Sequence, residues 1–435
     1  MAAPTMTTDE RNAVSFTPIK GGERIAALDA LRGLAIFGIL FVNASYFGLP
    51  MMETVQPDLD PALEAGGSAP NWFAAWFVKT FFEMKFISMF SMMFGIGAAL
   101  QFDRARRSGS NFDGFYLRRL LILLGFGVLH AVAFFYGDVL TIYALLGLSL
   151  LIFCRLKTAI LLPIIVGLMT ISAFLTTGMM LLESLAPDTE SAQTTGQATR
   201  TGWDAIMNSG FQPQSSVYID AETIAHQEGP YLDLLIFRTL AWFMALFTGV
   251  LTYGWHIMGM FALGVVIKRS AFFTGNGAGA RLRFWMMLLL PLGLLIEGLA
   301  AWVHLTETDS VWNEVLLILA REFSTVVVML GYAATLVTLV NMNVASVLFG
   351  WLAKVGRMAL TNYLLESLIM TTIFEYYGFG LFGKMSRVDL ILASAVICVI
   401  LTVFSVLWLR WFSRGPMEWL WRMLAYMRRP ALKRG

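Results

Sequence analysis

Ten apolar runs, several of them about 20 residues long, pattern this chain of 435 residues and constrain its fold more tightly than any other feature. Wound as an α-helix, a run of that length matches the hydrocarbon thickness of a bilayer. The runs lie near 30–48, 76–101, 118–136, 139–154, 158–182, 232–267, 284–304, 314–340, 357–378 and 389–410. The sixth is long enough for a bent helix, or for a short interfacial helix followed by a span. Hydrophobic residues make up 57% of the chain and charged residues only 14%, which excludes a soluble globular domain. The expected fold is therefore an all-α polytopic membrane bundle of about ten or eleven transmembrane helices.

The basic residues orient it. With the N-terminus in the cytoplasm, 24 of the 31 Lys and Arg fall in cytoplasmic segments and only Arg200, Lys384 and Arg387 on the opposite face. The bias predicts N-in and C-in. The chain divides into a cytoplasmic tail (1–23), a transmembrane domain (24–410) and a basic, aromatic C-terminal segment (411–435) read as an interfacial helix on the anionic leaflet. The non-cytoplasmic loop 184–230 is rich in Gln, Thr and Ser, which predicts a solvated lid or linker. The polar tail lacks the apolar core of a signal peptide, so no cleavage is expected. Cys154 and Cys398, both in apolar runs, offer neither a disulfide framework nor a zinc site, and no histidine pair has metal-site spacing. Membrane lipids are the expected partners, homo-oligomerisation stays open, and the small net charge of +2 points to no nucleic acid.

Ionisable groups inside spans are the functional candidates, because hydrocarbon makes them costly to keep. The stretch RRLLILLGFGVLHAVAFFYGDVLTIYALLGLSL (118–150) holds His130 and Asp138. The chain reverses at Tyr136 and Gly137, which puts both near the non-cytoplasmic mouth. Asp138 is either a helix N-cap or part of a site, and His130 either a hydrogen bond between helices or a cavity-lining base. Arg321 and Glu322 interrupt another span and need separate partners, with Glu297 and Arg238 available. In VGRMALTNYLLESLIM, Asn362 and Glu366 share a helix face, and with Tyr363 they are candidate pocket residues. His226 and His304 sit in or beside loops, and His256 is mid-span. No Gly-x-Ser-x-Gly elbow precedes any serine, so a Ser-His-Asp nucleophile is not expected.

The segments DALRGLAIFGILFVN, FSMMFGIG, GVLH with GDVLTIYA, GRMALTNY and GPMEWLWR run in order from Asp29 to Arg422. In this pattern the chain resembles the YeiB family of bacterial inner-membrane proteins, carriers of a domain of unknown function. That family in turn is similar to the transmembrane acyltransferases, which include the lysosomal heparan-glucosaminide acetyltransferase. In that group the first span carries a matching arginine and an active-site asparagine, at Arg32 and Asn43 here. Its histidine shortly after the first span has no counterpart, since this chain has no histidine before His130.

The resemblance implies a multi-pass protein of the bacterial inner membrane that moves an acyl group from acetyl-CoA or another acyl-CoA to an acceptor on or across the membrane. His130, oriented by Asp138, would activate the acceptor, and Asn43 would hold the thioester oxygen or the acceptor. Arg32, Arg118, Arg119 and Arg357, all on the cytoplasmic side, would meet the coenzyme A phosphates. Two other classes compete. In a transporter for a small solute or lipid, His130, Asp138, Arg321 and Glu366 would line a path; in a scaffold of the cell envelope, the same charges would only be paired.

Overall fold

The computed structural model describes residues 26–56, 59–61, 63, 68–184, 202–208, 212–273, 277–306, 311–427, 429 and 431–433. The expected N-terminal tail (1–23) and the segment 185–201 of the long loop lie outside the described residues. The described chain is a helical bundle. Its helices are α1 (Ala26–Gly48), α2 (Met51–Val55), α3 (Ala69–Phe81), α4 (Lys85–Ser108), α5 (Phe112–Ala133), α6 (Val139–Leu146), α7 (Leu150–Phe153), α8 (Thr158–Ser184) and α9 (Gly202–Asn208). They continue with α10 (Ser216–Glu228), α11 (Tyr231–Leu251), α12 (Gly254–Arg269), α13 (Gly277–Thr306), α14 (Val311–Asn341), α15 (Ser346–Arg357), α16 (Ala359–Phe374), α17 (Arg387–Trp411) and α18 (Pro416–Tyr426).

Eight helical stretches among the described residues are long and apolar enough to cross a membrane, and two shorter apolar helices, Val139–Phe153 and Ala359–Phe374, fill the remaining runs. The chain is a multi-pass membrane protein. On α13 the residues Leu288, Leu292, Leu295 and Leu299 are each more than half exposed, as are Val396, Val399 and Val403 on α17, which gives the bundle an apolar outer surface for lipid. Two of the apolar runs are broken within their length. The first breaks at residues 82–84, where Met84 takes a left-handed φ of 63°. The second is the long sixth run, which divides into α11 and α12 at Thr252 and Tyr253.

The loop expected to be solvated is in part folded. Ser215 caps α10, and the helix docks onto the bundle: His226 Nδ1 lies 2.9 Å from Glu375 Oε2, and the Tyr376 amide donates to the His226 carbonyl at 2.8 Å. Arg238 completes the contact by donating to Glu375 Oε1 and to the Ala133 carbonyl, both at 2.7 Å. Polar composition misled here because His226 and Glu222 are buried polar groups with partners, whereas composition alone scores them as solvated.

At the basic end α15 lies against α1. A Cβ on Gly33 would run into the Leu352 carbonyl, and one on Gly356 into the carbonyl of Asp29, so the two backbones touch only because both residues are glycine. The neighbours of those glycines, Arg32 and Arg357, are thereby brought to one place. Gly356→Leu should lower the unfolding midpoint of the detergent-solubilised protein by an overpacking cost of about 1–3 kcal/mol. Gly167→Leu, at a position where a Cβ meets nothing within 4 Å, should leave the midpoint unchanged in the same melting experiment.

Burial pushes the Glu222 carboxyl up to about 7; the nearby His226 and the Met51 amide oppose the shift, and Glu375 adds to it. A carboxyl whose folded value is raised binds its proton more tightly in the docked state. Its contribution is complete below the ordinary carboxylate value and is lost as pH rises through about 7. Hydrogen exchange of α10, corrected for intrinsic rates, should therefore show weakening protection between pH 5 and 8, and Glu222→Gln should flatten that profile.

Candidate functional site

A cavity of about 270 Å³ opens among α1, α4, α5, α6, α16, α18 and the end of α15. Along α1 its wall runs from Leu28 to Ile39, about 16 Å of helix. Arg32, Arg104, Arg119, Arg357 and Arg422 ring the basic end, with Asp29 and Glu418 as the acids among them. The body is apolar, walled by Ile36, Phe90, Met93, Phe94, Leu123 and Leu140, and Tyr143 and Tyr363 stand at its inner end.

The C-terminal helix closes the basic end. Glu418 accepts from the amides of Leu360 (2.7 Å) and Thr361 (3.1 Å) and from the Thr361 hydroxyl (2.6 Å), which caps α16 from outside the span. Arg119 lies 4.1 Å over the Trp421 ring and donates to Gln101 Oε1 at 2.9 Å. Arg32 pairs with Asp29 at 3.0 Å, one turn away, and Arg357 donates to the Ser413 carbonyl at 3.0 Å.

Beyond Tyr363 lies a buried polar chain. His130, in the last turn of α5, has Nδ1 2.8 Å from Asp138 Oδ1 and Nε2 2.8 Å from the Ser367 hydroxyl of α16. The other Asp138 oxygen accepts from the Thr141 amide at 2.7 Å, so Asp138 also caps α6. In the tautomer that donates from Nδ1 to Asp138, Nε2 presents its lone pair to the Ser367 hydroxyl. His130, Ser367 and Asp138 are each at most 3% exposed. The GVLH motif now has a local reason, because a Cβ on Gly127 would collide with the Thr141 amide and Asp138 Oδ2. Glycine one turn before His130 is what lets Asp138 reach the imidazole.

Of the residues expected from sequence, the structure joins His130 to Asp138 and puts Arg32, Arg119, Arg357 and Tyr363 on the cavity wall. Tyr363 bridges the two groups, its ring 4.9 Å from that of His130 and its hydroxyl accepting from the Val139 amide at 3.4 Å. Arg118 is exposed and ties α5 to α18 through the Ala425 carbonyl at 3.3 Å, away from the cavity wall. Asn362 is buried against α17, donating to Ser405 Oγ (2.9 Å) and to the Val355 carbonyl (3.0 Å). Glu366 shares that face of α16, and neither residue is on the cavity wall. Asn43 is half-buried one turn beyond Ile39, on the α1 face that Arg32, Ile36 and Ile39 present to the cavity.

Arg321 pairs with Glu297 (3.3 Å) as expected and also with Glu83 (2.9 Å), whereas Glu322 pairs with His256 (2.8 Å) and Arg238 with Glu375. Sequence reasoning missed Arg104, Arg422 and Ser367. The first two had a signal in helical spacing, Arg104 three residues after Gln101 and Arg422 four after Glu418. A Gly-x-Ser-x-Gly search could not find Ser367, because the serine, His130 and Asp138 are brought together by α5, α16 and the turn before α6 without a strand.

Fold and site together define a polytopic α-helical membrane protein with an arginine-ringed, apolar cavity that ends near a buried histidine-aspartate pair. Residues 266–428 match a family model described as a protein of unknown function (DUF418). The chain is 33% identical over 419 residues to the uncharacterized protein YxaH of Bacillus subtilis, covering 95% of this chain and 97% of that one. It is 31% identical over 406 residues to the uncharacterized protein YeiB of Escherichia coli, covering 92% and 96%. The chain belongs to the YeiB family. No solved structure matches it.

Asp138→Ala removes a cap and leaves His130 Nδ1 buried without a partner, and should destabilise the protein by about 2–4 kcal/mol. Gly127→Ala should act in the same direction. Leu129→Ala, at a side chain 69% exposed on the same turn, is the control expected to melt as wild type.

Proposed function

We propose that this protein is an acyltransferase of the bacterial inner membrane, taking its acyl group from an acyl-CoA, acetyl-CoA in the first instance, and passing it to an acceptor from the other face. The observation that carries this reading is one cavity with arginines at its basic end and an imidazole just past its inner end. Coenzyme A is a polyanion on a slender neutral arm. Arg32, Arg104, Arg119, Arg357 and Arg422 suit its phosphates, and the apolar body between Ile36 and Leu140 suits the arm and the acyl group. The thioester carbonyl would then lie at Tyr363. His130, with Asp138 on Nδ1, takes the proton of the attacking hydroxyl or amine at Nε2, a role worth about two to four decades of rate. Asn43, on the same face of α1 and nearer the opposite side, is placed to hold the acceptor.

A second reading, a carrier of a small solute or lipid, draws on a different observation. Lys85, Glu297, Arg321 and Glu83 form a chain of ion pairs inside the bundle, and Arg321 and Glu83 keep 22% and 27% of their side chains exposed. Flux through proteoliposomes without thioester consumption would favour the carrier.

Arg119→Ala should weaken acetyl-CoA binding to the purified protein about tenfold in calorimetry, the loss of one charge-assisted contact. His130→Ala should bind acetyl-CoA as wild type yet release at least about a hundredfold less thiol in the presence of acceptor. Equal turnover by both proteins would remove His130 from the chemistry.

A further inference from the structure

The Ser367 hydroxyl lies one helical turn beyond Tyr363 on α16, 2.8 Å from His130 Nε2 and 3.3 Å from the Tyr363 carbonyl. Its partner imidazole is held by Asp138, whose second oxygen is anchored on the Thr141 amide. The three side chains come from α5, the turn before α6 and α16, with Ser367 and His130 separated by 237 residues. The hydroxyl has two acceptors within reach, the Tyr363 carbonyl at 3.3 Å and His130 Nε2 at 2.8 Å; of the two only the nearer, the imidazole, can take its proton away, and that imidazole is backed by a carboxylate. The same order of groups activates serine nucleophiles on unrelated folds.

Access is the other requirement. Tyr363 both lines the cavity and packs on the His130 ring, and its hydroxyl accepts from the Val139 amide at a long 3.4 Å. Turning that one side chain would join the inner end of the cavity to the serine. We propose that Ser367 is the nucleophile that carries the acyl group between donor and acceptor, so that transfer runs through a serine ester; this rests on the acyl-CoA reading above.

In the first half, Ser367 Oγ attacks the thioester carbonyl carbon as its proton passes to His130 Nε2. The carbon–sulfur bond breaks, the proton moves from Nε2 to sulfur, and coenzyme A leaves as the free thiol. In the second half, the acceptor hydroxyl or amine gives its proton to Nε2 and attacks the ester carbonyl. The bond to Ser367 breaks and the proton returns to Oγ. His130 acts as base and acid in turn, and Asp138 is a positioning residue.

The test uses the full-length protein in lipid nanodiscs with two independent probes. Incubation with radiolabelled acetyl-CoA without acceptor, followed by acid quench and peptide mapping, should place one acetyl group on the peptide bearing Ser367. A fluorophosphonate, which reports an activated serine without any thioester, should label the same peptide. Both labels should fall by at least about a hundredfold in Ser367→Ala and His130→Ala. Ser367→Cys, which keeps the size of the side chain, should retain an acetyl label that neutral hydroxylamine releases. If Ser367→Ala still transfers acetyl groups at the wild-type rate while His130→Ala does not, transfer is direct and the serine proposal falls while the acyl-CoA reading stands. Fluorophosphonate labelling of Ser367 in a protein that neither binds acetyl-CoA nor releases thiol from it would overturn the acyl-CoA reading and keep the nucleophile. Failure of both probes on wild-type protein overturns the proposal.

Discussion

Inside hydrocarbon a polar group must find its partner within the protein, and the placement of α4 rests on one such arrangement. The span that begins at α3 breaks at residues 82–84, which frees backbone carbonyls at membrane depth. Lys85 answers one of them by donating to the Lys79 carbonyl at 2.8 Å while its ammonium meets Glu297 at 2.6 Å, both side chains fully buried. Tyr332 reaches the Phe81 carbonyl at 3.4 Å. The second oxygen of Glu297 is taken by Ser324 (2.7 Å) and Thr325 (2.8 Å) of α14. A fully buried pair like this is costly to assemble and more costly to break, because removing one partner strands the other charge. It therefore pins the break to α13 and α14 and fixes where α4 runs. Because α4 supplies Phe90, Met93, Phe94, Gln101 and Arg104 to the cavity wall, the cavity inherits its shape from an ion pair it does not touch.

The same constraint explains how the far end of α5 is held. Its last carbonyls have no partners within the helix, and Arg238 takes the one at Ala133 while binding Glu375, which in turn holds His226 of α10. His130 lies in that last turn. A loop helix, a buried arginine and the end of α16 thus converge on the turn that carries the imidazole. These contacts hold the imidazole in place from three sides, as the base role proposed for it would need.

Hydropathy made the number of apolar segments, their order and the basic end legible, because each depends on a local run or on the sum of charges. The break at 82–84 was not legible, and the one at 252–253 showed only as the excess length of the sixth run. Neither has the proline that usually announces one, and the free energy that stabilises the first comes from Glu297, 212 residues from Lys85. The site was half readable. His130 and Asp138 stood out as ionisable groups in an apolar stretch, whereas Ser367 is an ordinary residue in a span until the fold sets it beside Nε2. Among the arginines, bias toward the cytoplasm marked Arg118 and Arg119 equally. Neighbours on a helix point about 100° apart, and only packing decides that Arg119 turns inward to Trp421 while Arg118 turns out to α18.

The proposed chemistry would make use of the position of the polar chain relative to the cavity. A thioester is prone to hydrolysis, so a site that activates nucleophiles must keep water from the bound donor. Here the cavity approaches the base from the basic end and stops at Tyr363, whose ring lies between the wall and the imidazole. On α1 the face that lines the cavity continues past Ile39 to Asn43, toward the opposite side of the membrane. Donor and acceptor would then reach one base from two sides without an open path between them. A buried aspartate is costly in such a place, but Asp138 recovers that cost through two contacts at once, the imidazole and the amide that starts α6. The residue that orients the base is also the residue that begins the returning helix, which ties the geometry of the site to the fold of the hairpin around it.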